Sequence, residues 1–576
     1  MDTTIKIGGG AGQGIQTIGD ALARVFARSG YHVFTNQDYE SRIRGGHNFY
    51  QIRLADRPVM APRDGVDILV ALDKESIRLH QQELTPRGHI IYDADTLKEK
   101  HDGSGFLDVP FVRLATEHGG NKIMANTVAT GAVLGMLGME LSILLELIEE
   151  VFRKKGAAVV AANRNAAQAG HDHAVKTCLT CGFSAGPVEK PQPRLLVGGG
   201  EAIALGALAS GVQFYSAYPM TPSTGIMNYL ASKEKEYGVV VEQAEDEIAA
   251  INMAIGASFA GARSMTGTSG GGFALMVEGV SLAAMTETPV VIALGMRPGP
   301  ATGFPTRTEQ GELHMALHAG HGEFPRFIFA PGTPEQAFFL TNKAFDLAEK
   351  YQVQAFILFD TYLADTQWTL RGFDLGRLRN TDYRVRGEAF QKLASYKRHA
   401  FTESGVSPLA VPGDAKHLVV TDSDEHDEDG HIVEDAETRI KMVEKRLFRK
   451  FPLMQAEVAP PFLYGDPHPD IVVTGWGSLY GLLREAVDEL SRSKSIAMLH
   501  FSELFPFPAT DRFDYLELLG RARLSVCVEQ NATGQLARLM KTETGYDMRA
   551  LLSKYDGRPF TVDSLVENLK GMIKKL

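Results

Sequence analysis

Three stretches near the middle of the chain carry side chains that could bind and process a small anion. The first, residues 218–224, reads YPMTPST. Its two prolines exclude helix or central strand before residue 223, so a rigid loop brings three hydroxyls to the start of a helix predicted at 225–233. Hydroxyl donors and the free N–H groups of a helix start together suit a substrate carboxylate.

The second stretch, residues 242–247, reads EQAEDE and opens a predicted helix of small apolar residues at 248–261. Carboxylates in a first turn complement the helix dipole, and this explains Glu245 and Asp246. Glu247 directly precedes the small apolar residues of this helix, which indicate that the helix is buried. A carboxyl at such an edge is a candidate for a chemical task.

The third stretch, residues 297–311, reads RPGPATGFPTRTEQG and follows an apolar strand predicted at 290–294. Three prolines and three glycines predict a stiff, irregular loop at the carboxyl end of that strand, where α/β proteins bind ligands. Arg297 could grip a carboxylate through two hydrogen bonds. A surface loop that forms salt bridges is the alternative.

The elements that position these loops follow a repeated pattern of strand, glycine turn and helix. It occurs at residues 5–14, 195–200, 264–272 and 471–477. Such alternation is typical of parallel sheets covered by helices, and its recurrence predicts three α/β layers in series.

Two breaks divide these layers. Residues 178–194 are rich in proline, glycine and small residues and predict a linker. The second break, at about 370–465, holds an acidic stretch and a charged helical stretch. It predicts a long arm over the surface that leads into a final compact domain.

Three further motifs allow a functional and a structural interpretation. The glycines of residues 8–14 do not form a G-x-G-x-x-G motif, so a tight turn is favoured over a nucleotide site. Arg42 and Arg44 beside paired glycines could hold a phosphate or a partner's carboxylate, and an exposed polar loop is the alternative. Cys178 and Cys181 form a single C-x-x-C without further ligands, so a linker turn is favoured over a metal or redox site.

Composition excludes several classes of function. The chain of 576 residues is 44% hydrophobic and 22% charged, as in a globular protein with large cores. A net charge of −11 without a basic cluster argues against nucleic acid as a partner. No apolar run reaches the ~18 residues of a membrane span, the first residues do not read as a signal peptide, and three cysteines suit a reducing compartment. We therefore expect a cytoplasmic protein that binds no membrane and has no metal site of its own.

Together, the stretches resemble the alpha subunit of 2-oxoacid:ferredoxin oxidoreductases, in the form with a gamma-type domain fused ahead of it. Residues 218–224 are similar to the family's Y-P-[IM]-T-P-S-[ST] loop, and 242–250 to its E-x-x-E-D-E-x-A-A helix start. Residues 297–310 are similar to its R-x-G-P-[AS]-T-G-x-P-T-[RK]-x-x-Q loop. Further matching stretches are 318–326, 424–430 and 528–535, with 10–14 and 44–46 in the gamma part.

The resemblance implies a multidomain α/β fold. A gamma-type domain would span 1–185 and a linker 186–194. A thiamine-diphosphate pyrimidine-binding-type domain would span 195–385, a connecting arm 386–465, and a transketolase C-terminal-like domain 466–576.

The family's residue roles carry over to matching positions. Thr221 and Arg297 would hold the 2-oxoacid carboxylate, and Thr306 would help to select the side chain, as in members that use 2-oxoglutarate. Glu247 would hydrogen-bond N1′ of the thiamine aminopyrimidine and so promote removal of the thiazolium C2 proton. Further residues that would contact thiamine diphosphate are Tyr218, Pro219 and Gly270.

The chain lacks the Gly-Asp-Gly motif with which thiamine enzymes hold the diphosphate through Mg²⁺, and it has too few cysteines for a [4Fe–4S] cluster. The resemblance therefore implies a separate beta subunit that supplies diphosphate binding, Mg²⁺ and the cluster, in a dimer of alpha–beta heterodimers. Coenzyme A (CoA) would be co-substrate and ferredoxin the electron acceptor, with Arg42, Arg44 and the glycine turn as candidates for contacting CoA. The implied function is CoA-dependent oxidation of 2-oxoglutarate to succinyl-CoA and CO₂, or the reverse carboxylation.

Four alternatives stay open. They are the same chemistry on pyruvate or a branched-chain 2-oxoacid, a transketolase-like or dehydrogenase component without ferredoxin, a non-catalytic scaffold subunit, and an NAD-binding oxidoreductase. The fused gamma-type domain argues against a transketolase-like or dehydrogenase component. The spacing of the glycines in residues 8–14 argues against an NAD-binding oxidoreductase.

Overall fold

The computed structural model describes residues 1–42, 45–178, 183, 185, 188, 192 and 194–575, and the chain divides into two compact units. Unit 1 consists of Met1–Val197 with Thr366–Gly372 and Thr561–Glu567. Unit 2 consists of Gly198–Asp365, Phe373–Phe560 and Asn568–Leu576. Each unit is assembled from separate parts of the chain. The five consecutive segments expected from the sequence stay a prediction.

The regular elements follow one another in chain order. Up to residue 198 they are β1 (Asp2–Ala11), α1 (Ile15–Arg28), β2 (His32–Asp38), β3 (Gly45–Ala55), β4 (Val66–Ala71), α2 (Lys74–His80), β5 (Leu84–Tyr92), α3 (Ala94–Leu97), β6 (Phe106–Asp108), α4 (Phe111–Gly119), α5 (Ala125–Met136), α6 (Ser142–Phe152), α7 (Ala157–Thr177) and β7 (Leu195–Gly198). Up to residue 370 they are α8 (Gly199–Ala209), β8 (Phe214–Ala217), α9 (Thr224–Ser232), α10 (Glu234–Tyr237), β9 (Val240–Gln243), α11 (Glu247–Phe259), β10 (Ser264–Ser269), α12 (Gly270–Met285), β11 (Val290–Met296), α13 (Leu313–His318), β12 (Arg326–Phe329), α14 (Pro334–Tyr351), β13 (Gln354–Asp360), α15 (Thr361–Asp365) and β14 (Gln367–Leu370). The rest are β15 (Arg384–Val385), α16 (Gly387–Gln391), β16 (Leu409–Ala410), α17 (Ala436–Val443), α18 (Lys450–Glu457), β17 (Phe462–Gly465), β18 (Ile471–Trp476), α19 (Tyr480–Leu490), β19 (Ile496–Phe501), β20 (Glu503–Phe505), α20 (Tyr515–Arg521), β21 (Leu524–Glu529), α21 (Gln535–Thr544), β22 (Ala550–Ser553) and α22 (Val562–Ile573).

Unit 1 is built on an eight-stranded sheet in the order β6-β5-β4-β1-β3-β2-β14-β7. Strands β1, β4, β5 and β6 run parallel, but β3 lies antiparallel to both β1 and β2. The parallel pairing expected from the sequence is therefore found in only part of this sheet. Residues 39–44 alone separate β2 from β3 in the chain, too few for the crossover that parallel neighbours need.

The glycine-rich segment at the end of β1 forms a turn that is filled by its own glutamine. The Gln13 side chain accepts a hydrogen bond from the Gly10 N–H (2.6 Å) and donates to the Leu72 carbonyl oxygen (3.3 Å). Gly14, with a φ of 83°, precedes α1. Because residues 8–10 belong to β1, the turn is shorter than the glycine run. These contacts support a tight turn, the interpretation favoured from the sequence.

Unit 2 contains a seven-stranded sheet in the order β20-β12-β13-β11-β10-β8-β9. It also contains a five-stranded sheet in the order β17-β19-β18-β21-β22. Both are parallel apart from the edge pairs β12–β20 and β17–β19, so the predicted parallel architecture is confirmed here. One hydrophobic cluster includes Ile292 and Phe356 of the larger sheet and Val472 and Leu499 of the smaller.

The predicted surface arm differs from expectation, because its charged residues enter the core of unit 2. Helix α17 continues through a π-helical segment, Glu444–Arg449, into α18. Lys445 and Lys450 are buried and both bind the carboxylate of Glu287, which is itself buried. His399 approaches the same carboxylate at 3.2 Å. The burial of these lysines could not be predicted from the charge pattern of the sequence. Charged residues that pair in the interior give the same pattern as the solvent-exposed face of a helix.

Within the described part of the chain, no helix combines the length and apolar character of a membrane span. Of the three cysteines, Cys527 is free and buried, and Cys178, at the end of α7, is disulfide-bonded. Cys181 and Arg44 lie outside the described residues, so the interpretations of the C-x-x-C motif and of Arg44 stay predictions.

Candidate active site

The YPMTPST loop connects β8 to α9 and packs on the ends of β10 and β11. A Cβ built on Gly295 would meet Pro222 Cδ at 2.8 Å, and one built on Gly267 would meet Ser223 Cβ at 3.6 Å. Glycine at position 295 therefore allows the loop to approach the sheet. The Ser223 hydroxyl donates to the Met220 carbonyl oxygen (2.8 Å) and shapes the turn that leads into α9.

Arg297 and Thr221, the two residues predicted to bind the substrate carboxylate, are adjacent. Arg297 directly follows β11, and its Nη1 donates a hydrogen bond to the Thr221 carbonyl oxygen at 2.9 Å. Both residues are half-buried. Burial lowers the pKa of Arg297, and the attraction of Glu312 opposes this change. The bond to Thr221 orients a guanidinium that can also bind an anion.

Glu247 is the first residue of α11 and lies in the interior. The preceding residue, Asp246, caps the helix by accepting a hydrogen bond from the Ala249 N–H at 2.8 Å. Glu247 is 4% exposed, and its Oε1 is buried without a hydrogen-bond partner in the described part of the chain. A Cβ on Gly272, in the first turn of α12, would collide with this oxygen. A buried polar atom without a hydrogen bond lowers the stability of the fold unless a ligand supplies the missing partner.

The remaining predicted residues occupy the same region or its loops. Gly270 opens α12, and a Cβ built there would lie 2.6 Å from Glu312 Oε1. Tyr218, the first residue of the YPMTPST loop, is exposed, and Pro219 is half-buried. Thr306 is half-buried, nine residues after Arg297 in the same loop.

Sequence reasoning missed Glu312. This residue is buried, and its Oε2 has no hydrogen-bond partner among the residues that the structure describes. Burial raises the pKa of Glu312 to about 8; Glu309 adds to the rise, while Arg297 and a hydrogen bond from the Gly311 N–H oppose it. In the sequence, Glu309 and Glu312 read as polar residues at a loop end. The only available signal was the position of Glu312 directly before an apolar helical run.

The far end of the loop at 297–311 is fixed by the segment at 528–535. The Gln310 N–H donates to the Gln530 carbonyl oxygen (2.7 Å), and Gln310 Oε1 accepts from the Gln530 N–H (3.0 Å). Gln310 Nε2 donates to the Trp476 carbonyl oxygen (2.9 Å), and Asn531 Nδ2 donates to the Gln310 carbonyl oxygen (3.2 Å). The 528–535 segment therefore positions the loop that carries Arg297 and Thr306.

A second anchor joins the same loop to the end of β13 and to the turn that follows β18. Asp360, at the end of β13, is buried and accepts a hydrogen bond from the Ser478 hydroxyl and one from the Leu363 N–H (2.8 Å). Burial raises the pKa of Asp360 to about 6, and hydrogen bonds from Ser478, Leu363 and Thr308 oppose this rise. Because Thr308 belongs to the loop, Asp360 holds the loop at a second point.

Two family models match the chain. One, described as "Pyruvate flavodoxin/ferredoxin oxidoreductase, thiamine diP-bdg", matches residues 205–445, and one described as "Pyruvate ferredoxin/flavodoxin oxidoreductase" matches residues 4–173. The 2-oxoacid:ferredoxin oxidoreductase subunit alpha of Sulfolobus sp is 32% identical over 99% of this chain and 96% of its own. The 2-oxoglutarate oxidoreductase subunit KorA of Mycobacterium tuberculosis is 28% identical over 98% and 90%, respectively.

A solved structure is similar over the full length. It is the 2-oxoglutarate:ferredoxin oxidoreductase from Magnetococcus marinus with 2-oxoglutarate, CoA and succinyl-CoA bound, with a TM-score of 0.91, 30% identity and coverage of 99% of both chains. This similarity confirms the predicted multidomain α/β class. The thiamine-binding family model and the named relatives confirm the predicted enzyme class, a thiamine-diphosphate-dependent oxidoreductase. The chain belongs to the family of 2-oxoacid:ferredoxin oxidoreductase alpha subunits.

Proposed function

We propose that the chain is the alpha subunit of a 2-oxoglutarate:ferredoxin oxidoreductase. The reaction joins 2-oxoglutarate and CoA to give succinyl-CoA and CO₂, and two electrons pass to ferredoxin. The observation that carries this proposal is the orientation of Arg297 by Thr221, near the start of α12 where Glu247 is buried. The bound ligands named for the Magnetococcus marinus structure support the choice of acid.

The surroundings of Glu247 suit the aminopyrimidine of thiamine diphosphate. When bound, thiamine diphosphate supplies a nucleophilic carbon and an electron sink for decarboxylation. Glu247 offers an oxygen, Oε1, that is buried and has no partner within the described residues. Gly270 and Gly272 leave the start of α12 without side chains that would fill this space. The Glu247 carboxyl would form a hydrogen bond with a ring nitrogen and exchange a proton with it.

Substrate binding would depend on two loops. The Arg297 guanidinium would pair with the carboxylate next to the keto group, and its bond to the Thr221 carbonyl would fix the direction of that contact. Thr306 would contribute a polar contact to the side-chain carboxylate of 2-oxoglutarate. The anchors at Gln310 and Asp360 would keep this loop rigid.

A separate beta subunit would complete the enzyme with diphosphate binding, Mg²⁺ and a [4Fe–4S] cluster, in an assembly of two alpha–beta pairs. The relatives are named as alpha subunits, which supports a partner chain. Ile248 and Met253 of α11 and Leu275 of α12 are exposed on the helices that carry Glu247 and Gly270. We assign the exposed sides of these two helices to the docking of the beta subunit.

CoA would be contacted by unit 1. The candidates are Arg42, which is exposed and pairs with Glu40 at 2.8 Å, and the glycine turn at residues 10–14.

The test is co-expression with a beta subunit, followed by an anaerobic assay of CoA-dependent viologen reduction with 2-oxoglutarate, pyruvate and 2-oxoisovalerate. A preference for 2-oxoglutarate supports the proposal. Activity on another acid would keep the enzyme class and reject the substrate. No activity from a thiamine- and cluster-loaded complex would reject the proposal.

A matched pair of variants tests the role of Thr306 in the choice of substrate. Loss of a hydrogen bond to a charged group costs about 1.5–3 kcal/mol, so Thr306→Val should lower kcat/KM for 2-oxoglutarate about 10- to 100-fold and leave pyruvate turnover unchanged. Thr302→Val, at an exposed position of the same loop, is the control. Equal losses for both acids would contradict a role in selectivity.

A further inference from the structure

Two buried carboxyls flank the start of α12, and only one of them has a role so far. Glu247 packs against Gly272, and Glu312 packs against Gly270. Each has one buried oxygen without a hydrogen-bond partner in the described residues, Oε1 of Glu247 and Oε2 of Glu312. Glu312 and Arg297 attract each other electrostatically, so Glu312 belongs to the site of Arg297, although it is not among the residues predicted from the sequence.

The charged groups that face Glu312 come from its own loop and from the end of β11. Glu309 repels a negative charge on Glu312, whereas Arg297 attracts it. Helix α12 approaches Glu312 with Gly270, which has no side chain. His314, on the following α13, is bonded to the Gln535 carbonyl oxygen at 3.0 Å. Among the residues that the structure describes, the cation that attracts the charge of Glu312 is therefore Arg297, whose guanidinium would receive the substrate.

We propose that Glu312 is a positioning residue that controls the charge of the substrate-binding site: protonated, it leaves Arg297 available to the substrate carboxylate, and ionised, it competes with that carboxylate. This inference rests on the proposed function, since it concerns the acid that Arg297 binds. It extends that function, because no residue given a role above controls the charge that surrounds Arg297.

The physical argument is one of linked equilibria. A substrate carboxylate and an ionised Glu312 would place two negative charges beside one guanidinium in a half-buried site, which is unfavourable. Binding above the pKa of Glu312, about 8, must then be accompanied by uptake of one proton. The affinity is constant while Glu312 is protonated and falls by at most about tenfold for each pH unit above that pKa.

The experiment measures binding and turnover on the assembled complex from about pH 6.5 to 9.5. Glutarate, a dicarboxylate without the keto group, is titrated by calorimetry in two buffers of different ionisation enthalpy, and KM and kcat are measured with 2-oxoglutarate. For the wild type we expect a constant glutarate Kd up to about pH 8 and a rise above it, with proton uptake. KM should rise in parallel, with kcat changing less than about twofold.

Two variants separate the role of Glu312 from a general effect on the loop. In Glu312→Gln, Kd and KM should not depend on pH over this range, and proton uptake should vanish. In Glu309→Gln, the rise should persist but begin at lower pH, because the charge that helps to keep Glu312 protonated is gone.

The proposal is overturned by a wild-type glutarate affinity that does not change with pH. It is also overturned by a rise that Glu312→Gln leaves intact, or by a Glu309→Gln profile identical to that of the wild type. Because glutarate binding needs no turnover, the two proposals can fail separately. A complex that turns over no 2-oxoacid but binds glutarate with the expected dependence on Glu312 would reject the function and uphold the role of Glu312.

Discussion

Glu245 and Glu247 lie two residues apart at the start of α11 and differ in their surroundings. Glu245 is exposed, whereas Glu247 is buried beside Gly272. A glutamine at 247 keeps the size of the side chain but cannot transfer a proton. In the assembled complex we expect Glu247→Gln to lower kcat about 10²- to 10⁴-fold, the range typical of a lost general acid or base.

The control for this prediction is Glu245→Gln, which should keep full activity. The measurement is CoA-dependent viologen reduction, together with a thermal unfolding curve that shows both variants to be folded. Retention of wild-type activity by Glu247→Gln would mean that the chain serves as a scaffold.

Individual residues were predictable where the local sequence restricts the backbone. Prolines and hydroxyls around Thr221, and a strand end before Arg297, are local signals, and the structure brings these two residues into contact. Glu312 gives no local signal, because its burial depends on the anchoring of its loop by Gln530, more than 200 positions later in the chain. Contacts of such sequence separation cannot be read from one sequence.

The loop after β11 is the element on which the proposed substrate site depends. Gln310 is buried, and its side chain bonds the Gln530 N–H and the Trp476 carbonyl. Gln310→Ala would leave both backbone groups unpaired, at about 1–3 kcal/mol each. We expect the loosened loop to lower kcat/KM for the 2-oxoacid about 10- to 100-fold, since small misplacements of binding groups reduce rates by such factors.

Steady-state kinetics of the complex check this prediction, with Gln391→Ala, at an exposed end of α16, as control. An unchanged kcat/KM in Gln310→Ala would show that the loop keeps its position without this anchor.

The positions of helices and strands could be predicted from the sequence more often than the way in which the strands pair. The strands and helices around residues 214–232 and 247–296 were expected from apolar runs, prolines and glycines, and the structure confirms them. The antiparallel position of β3 in unit 1 was not expected, because a glycine run after a strand does not reveal which neighbour the next strand pairs with. Pairing is decided by connection length and by tertiary contacts.

At the scale of unit 2, a buried ion cluster is centred on Glu287 and joins Lys445 and Lys450 to it. Burial alone would raise the pKa of Glu287, but Lys445, Lys450 and a hydrogen bond from His399 hold it well below its usual range. An unfolded glutamate titrates near pH 4.5, so the ionised Glu287 contributes its full stabilisation above that pH, as long as Lys445, whose pKa burial lowers to about 8, keeps its charge. This contribution is lost as the pH falls through the folded-state pKa.

Glu287→Gln would leave two buried ammonium groups without a carboxylate, which costs about 3–5 kcal/mol. We expect a lower midpoint of thermal unfolding at pH 7 and a flatter decline of that midpoint between about pH 5 and 3. Circular dichroism melts measure both quantities. Glu278→Gln, at an exposed position of α12, should behave like the wild type. Equal melts for both variants would show that the lysines are neutral or find other partners.

At the scale of the assembled enzyme, the proposed docking of the beta subunit on α11 and α12, where Ile248, Met253 and Leu275 are exposed, makes a further prediction. A carboxylate at position 275 would have to be desolvated on association, which is costly at an apolar interface. Leu275→Asp should therefore leave the melting curve of the isolated chain unchanged but abolish co-purification with the beta subunit and the activity that depends on it. Leu418→Asp introduces the same charge at another exposed leucine of unit 2 and should leave both intact. If both variants lose the complex, the added negative charge alone explains the effect. If Leu275→Asp keeps a stable complex, the beta subunit binds another face of the chain.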